Sequence, residues 1–245
     1  MTAVNIGTAG WSIPRHYADR FSVDGTSLER YSAHFGVVEI NSSFHRPHRL
    51  STWERWHDSV PDGFRFSAKL PKEITHQRKL VDCSAALDAF LDQANMLGEK
   101  LRVLLVQLPP KLVFDGKVAT DFFDALTGRT PAQVVCEPRN ISWFTPAADA
   151  ILDKLRIARV AADPAICAEA ALPGGWKDLS YWRLHGSPVI YRSSYEDRIG
   201  IYADRLERDA GDGREVWCIF DNTASSAAMG DALAMSNAIA LSSSA

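Results

Sequence analysis

Eight short apolar runs, each of strand length, alternate with longer helix-forming segments along the whole chain. The runs are Val4–Gly7, Val37–Asn41, Phe64–Lys69, Val103–Gln107, Val134–Glu137, Ala158–Ala162, Tyr181–His185 and Val216–Phe220. Helical periodicity falls between them, over Ser27–Phe35, Thr52–Asp58, Ser84–Leu97, Val118–Leu126, Ala147–Leu155, Ile199–Arg208 and Ser225–Ala238. Antiparallel neighbours can be joined by a tight turn, whereas a helix between two strands implies a crossover and parallel pairing. Eight such units in 245 residues match a (β/α)8 TIM barrel, with an open doubly wound sheet as the rival. No G-x-G-x-x-G follows a strand, which argues against the dinucleotide-binding form of that rival and leaves the cofactor unnamed. The expected organisation is one domain over residues 1–240 and a polar tail over 241–245.

Each run changes character at its end. Side chains at i and i+2 share one face of a strand. Glu39 therefore sides with Asn41, Ser67 with Lys69, Glu137 with Arg139 and Arg183 with His185. Gln107 closes its run, Asp163 follows another, and Asp221, Asn222 and Thr223 follow the last. In a parallel barrel all the C-terminal strand ends meet at one mouth, where active sites are built. Seven of the eight runs thus deliver hydrogen-bonding or ionisable groups to one place. Burying that many charges is costly unless they neutralise one another or hold something.

Composition removes several partners. A formal net charge of −3 gives no global attraction to nucleic acid or anionic membranes, although a local basic cleft is compatible with it. The start "MTAVNIGTAGW" lacks a basic and a long apolar region, and no apolar run reaches membrane-spanning length. The four cysteines are widely spaced and two lie in apolar runs, as expected for buried thiols in a reducing cytoplasm.

The segments "GTAGWS", "VEINSSFHR", "KLPKEITH", "LLVQLPP", "EPRNISWF", "RLHG" and "FDNTA" together resemble, in order, the motifs of the DUF72 (YecE-like) family. The resemblance runs from Ile6 to about Ala232 and implies a TIM barrel, without implying an activity. Two positions depart from the family pattern. Asn140 stands where the family usually has His, and Asp221 where it usually has Asn. Asn140 can donate and accept hydrogen bonds but cannot titrate.

Three chemistries suit such a mouth. Two carboxylates, Glu39 and Glu137, with His185 as a group able to titrate near neutral pH, suit acid/base catalysis. Glu39, Glu137, Asp163, His185 and Asp221 are oxygen and imidazole donors, but Lys69, Arg139 and Arg183 in the same mouth oppose a metal cation. Those cations, with His76 and neighbouring His45 and Arg46, suit an anion instead. Asn41, Gln107, Trp143, Asp163, Asn222 and Thr223 complete the expected binding set. The leading expectation is a hydrolase or other acid/base enzyme acting on a small phosphorylated or nucleotide-like anion. The alternatives are a nucleic-acid-binding protein with metal-dependent, endonuclease-like chemistry, and a ligand-binding protein without turnover.

Overall fold

The computed structural model describes residues 4–242. Ten strands form: β1 (Val4–Thr8), β2 (Val37–Ile40), β3 (Arg65–Lys69), β4 (Leu101–Gln107), β5 (Gln133–Glu137), β6 (Ile157–Arg159), β7 (Ala161–Asp163), β8 (Gly174–Gly175), β9 (Leu179–Leu184) and β10 (Glu215–Phe220). They pair as a four-stranded sheet, β1-β10-β9-β7, and a six-stranded sheet, β2-β3-β4-β5-β6-β8. Every pair is parallel except β6 with β8. The α/β class with parallel pairing thus follows the sequence expectation.

The expected strand over 158–162 is interrupted at Val160. Before it β6 pairs with β5, and after it β7 pairs with β9, so the chain passes from one sheet to the other within one residue. At the far edges the two sheets touch again. Ala9 forms a parallel bridge to Glu39, and Gly10 N–H donates to the Glu39 carbonyl at 2.8 Å. A Cβ on Gly7 would lie 2.5 Å from the Val37 carbonyl oxygen, so only glycine lets β1 and β2 approach this closely.

Alternation divides the core in two. Leu104 and Val106 face the helices, while Val103 and Leu105 face the opposite way. That second face joins Val37, Val103, Leu105, Val135, Ala158, Val160, Leu179, Tyr181, Trp217 and Ile219 in one cluster, drawn from strands of both sheets. Trp217 stacks on Tyr181 within it, the rings 5.9 Å apart.

Seven helices lie between or after the strands: α1 (Ser27–Ser32), α2 (Leu50–Asp58), α3 (Ser84–Ala94), α4 (Gly116–Thr127), α5 (Pro146–Lys154), α6 (Ile199–Gly211) and α7 (Ala227–Ser242). Their starts obey local chemistry. Thr26 and Glu29 form a capping box on α1, the Asp115 carboxylate caps α4, and Thr145 caps α5 ahead of Pro146. Leu241 and Ser242, the start of the expected polar tail, end α7, and residues 243–245 lie outside the described residues. No helix among the described residues is long and apolar enough to cross a membrane.

Candidate functional site

The inward face of the strands turns polar at one end. Two residues beyond Val37, Val135, Tyr181 and Ile219 stand Glu39, Glu137, Arg183 and Asp221. Arg183 is the centre of the group. Its Nε and Nη2 hold the two Glu39 carboxylate oxygens at 3.0 and 2.7 Å. Nη1 donates to Glu137 Oε2 at 2.5 Å, and Nη2 also donates to Asp221 Oδ2 at 2.9 Å. Arg183, Glu39 and Glu137 are fully buried. The guanidinium therefore occupies the space between three carboxylates where a metal cation would otherwise sit. Among the described residues, no group of three or more His, Cys, Asp or Glu is arranged to hold one.

The remaining valences are filled from the same layer. Tyr181 OH donates to Glu39 Oε2 at 3.0 Å and accepts from Ser67 Oγ at 2.9 Å. Gln107, in register with Glu137, donates to its Oε2 at 3.2 Å. Asn41 Nδ2 donates to Asp221 Oδ1 at 3.2 Å, and Asn41 Oδ1 is buried without a donor among the described residues. Burial opposes charge on Glu137, but the Arg139 and Arg183 guanidiniums outweigh it and hold the carboxyl well below its usual range. Asp221 is likewise lowered, with Arg183 and His185 overcoming its burial.

His185 and Arg139 form the edge of this network. His185 Nδ1 lies 2.9 Å from Asp221 Oδ2, and Nε2 lies 2.9 Å from Glu137 Oε1. Arg139 Nη2 contacts both Glu137 Oε1 and, at 2.7 Å, His185 Nε2. Arginine nitrogens only donate, so this contact requires Nε2 to accept and places the ring hydrogen on Nδ1, facing Asp221. Glu137 Oε1 and His185 Nε2 are then two acceptors held together by one donor. Tyr191 closes over the edge, its ring 5.8 Å from that of His185.

Lys69 stands apart. It is 7% exposed, and its ammonium has no hydrogen bond or ion pair among the described residues. It lies over the Phe44 ring, 4.2 Å from the centroid. His76, on a single π-helical turn over Glu73–Gln77, packs edge-on against the other contact surface of Phe44 at 5.0 Å. His76 is lowered by its own burial and then by Lys69 and Lys72.

The other expected residues are elsewhere. Asp163 is in register with Leu184, one residue past Arg183 and so on the opposite face of the strand. There it accepts from Tyr195 OH at 2.7 Å and from Arg198 at 3.3 Å. Trp143 is buried, donating to the Leu112 carbonyl at 3.0 Å and packed on Phe114, so it presents no face for stacking. Asn222 is buried and gives its amide to Ser193 O at 2.9 Å and Asp231 Oδ2 at 2.6 Å. Asp231 also accepts from Ser194 Oγ at 2.6 Å and Tyr195 N at 3.0 Å. Gly186, at φ +93, gives its N–H to Tyr195 OH. The Gly186 N–H and the Asn222 amide are therefore already engaged. Thr223 is exposed beside a cavity of about 280 Å³ that it shares with Thr8, Ser12 and Ser226. Asn140 caps the short turn Ile141–Trp143 and donates to Pro110 O at 2.7 Å, a structural use for the position where a titratable group was expected.

Tyr181 is the participant that sequence reading missed. It reads as one more core aromatic, and only its i, i+2 relation to Arg183 marks it.

Comparison with known proteins gives a consistent result. A family model described as "Protein of unknown function DUF72" matches residues 5–245. UPF0759 protein YecE of Escherichia coli K12 is 33% identical over 106 residues, 43% of this chain and 38% of YecE. UPF0759 protein YunF of Bacillus subtilis 168 is 28% identical over 151 residues, 58% of this chain and 53% of YunF. The alignments thus span about half or less of these relatives. A DUF72 family protein from Enterococcus faecalis V583 superposes with a TM-score of 0.81 at 19% identity, covering 97% of this chain and 96% of that one, which shows a shared fold. A match from the first strand to the last helix, joined to that common architecture, places this chain in the DUF72 family.

Proposed function

We propose that the two sheets close into one (β/α)8 barrel and that its mouth is the active site of an enzyme acting on a small anion. Closure is supported at Val160, where one strand serves both sheets, by the Ala9–Glu39 bridge, and by the inner cluster drawn from both.

One observation carries the anion reading: the most exposed charge of the network is a cation, Arg139. The Glu39 and Glu137 side chains are 0% and 1% exposed, against 15% for Arg139. Asp221, its side chain 9% exposed, is bound back onto Arg183. An incoming phosphate or carboxylate therefore meets Arg139 first. Asn41 Oδ1 offers an unfilled acceptor for a ligand hydroxyl.

Proton transfer belongs to His185, not to the glutamates. Glu39 has both oxygens bound by Arg183. Glu137 is held ionised by its neighbours. His185 is oriented by Asp221 at Nδ1 and turns Nε2 to the edge. An anion that draws Arg139 away frees His185 Nε2 to accept a hydrogen bond from the ligand.

The test is a binding screen of inorganic phosphate, sugar phosphates and carboxylates by calorimetry, followed by Arg139→Gln. A charge-assisted contact of this kind is worth about 1.5–3 kcal/mol, so affinity should fall roughly tenfold to a hundredfold. Unchanged affinity in the variant overturns the reading. The saturation of Glu39 favours a second reading, a ligand-binding protein without turnover. Conversion of the bound ligand by the wild type, lost in His185→Gln while binding persists, decides for the enzyme.

A further inference from the structure

A lysine at the end of a strand, buried with no hydrogen bond or ion pair to its ammonium among the described residues, needs a reason. Structural lysines usually give their ammonium to acceptors. Lys100 in this chain does so, donating to the carbonyls of His57 and Val60 at 2.7 and 2.8 Å. Lys69 does not: no acceptor lies within hydrogen-bond reach of its ammonium among the described residues. Its backbone is nevertheless tightly held. The Lys69 carbonyl accepts from Ser43 Oγ at 2.7 Å, and the next N–H, of Leu70, donates to Leu105 O at 2.9 Å. The side chain is held against Phe44, with His76 packed edge-on against the same ring. Phe44 also lines a cavity of about 420 Å³, together with His45, Arg46 and Lys72.

We propose that Lys69 is a nucleophile, a positioned amine that condenses with the carbonyl group of an anionic aldehyde or ketone to form a Schiff base. The proposal rests on the anion reading of the same mouth and names its substrate class. Burial, followed by repulsion from Arg183, brings the amine down to about 8, so on the order of a tenth of it is neutral at pH 7. A desolvated lysine beside another cation is the usual way an amine is activated for this chemistry.

The step balances without oxidant or reductant. The Nζ lone pair forms a bond to the carbonyl carbon as the C=O π pair moves to oxygen, which takes a proton. The nitrogen of this carbinolamine then gives up a proton and forms a second bond to carbon. The C–O bond breaks, and the oxygen leaves as water after accepting a further proton. Amine and carbonyl give imine and water, and a proton from solution makes the product an iminium. His76 shares the Phe44 ring with the amine and feels its charge, and suits the proton transfers that release water.

The experiment incubates the protein with glyoxylate, pyruvate or dihydroxyacetone phosphate in the presence of sodium borohydride, and maps the reduced adduct by peptide mass spectrometry. The expected result is an adduct on Lys69 with at least one probe, formed about tenfold or more faster than on the exposed lysines, as its lowered protonation predicts. The adduct should be absent from that peptide in Lys69→Met. Modification of surface lysines alone, or at rates equal to Lys69, overturns the proposal. Phosphate affinity measured on the same samples keeps the two readings apart. A missing adduct with Arg139-dependent phosphate binding overturns the nucleophile and leaves the anion site standing. A Lys69 adduct without phosphate binding supports the nucleophile and overturns the phosphate form of the anion site.

Discussion

The floor and the rim of this mouth use the same residue types to opposite ends. At the floor, Arg183 makes four bonds to Glu39, Glu137 and Asp221, with Tyr181, Gln107 and Asn41 filling in around them. At the rim, Lys69 is buried against a ring with no ion-pair contact among the described residues, and Arg139 is shared between a carboxylate and an imidazole. A paired charge in a low-dielectric interior is inert, because moving it away exposes its partner. An unpaired or shared one is poised to interact with whatever arrives. The contrast separates scaffold from chemistry more sharply than residue type does.

The largest effect should come from Arg183→Met. It strands three buried carboxylates, and breaking such a network costs about 3–5 kcal/mol or more. Urea unfolding measures it, and a loss below about 1 kcal/mol would break the comparison at the floor. Lys69→Met should act in the opposite direction, raising stability at pH 7 by ~1–3 kcal/mol, because it removes a charge that folding desolvates. The sign carries a pH signature. Folding lowers the lysine from 10.5 to about 8, so the folded state binds fewer protons between those values. Wild-type stability relative to Lys69→Met therefore climbs from about pH 8 to 10.5 and is lost again as pH falls through 8. A gap that stays flat over that range refutes the strain assigned to Lys69. The smallest effect belongs outside the mouth. Asn140→Ala loses a cap and should cost ~1 kcal/mol without changing phosphate affinity. A change in affinity there would extend the rim to this turn.

Much of this was legible in the sequence. The strand positions followed from apolar runs, and the i, i+2 rule brought Glu39, Lys69, Glu137 and Arg183 to one end. What the rule could not carry was which charges cancel, since exposure depends on neighbours far along the chain. Arg183 looked like a ligand-binding cation and is a buried hub. Asp163 was misplaced because its strand breaks at Val160, and the register with β9 turns it to the outer face. Asn222 was expected to bind and is consumed by Asp231, a residue inside α7 that no strand pattern could connect to the mouth.

Asp231 has a mechanical consequence. Its carboxylate fastens the loop bearing Tyr191, through Ser194 and Tyr195, to Asn222 beside Asp221. The covering loop and the last strand end are therefore coupled through α7, beside the direct bonds of Asn222 to Ser193 O and of Ala224 N–H to Tyr191 O. A small displacement of α7 would therefore be felt both in the segment over His185 and at the end of β10.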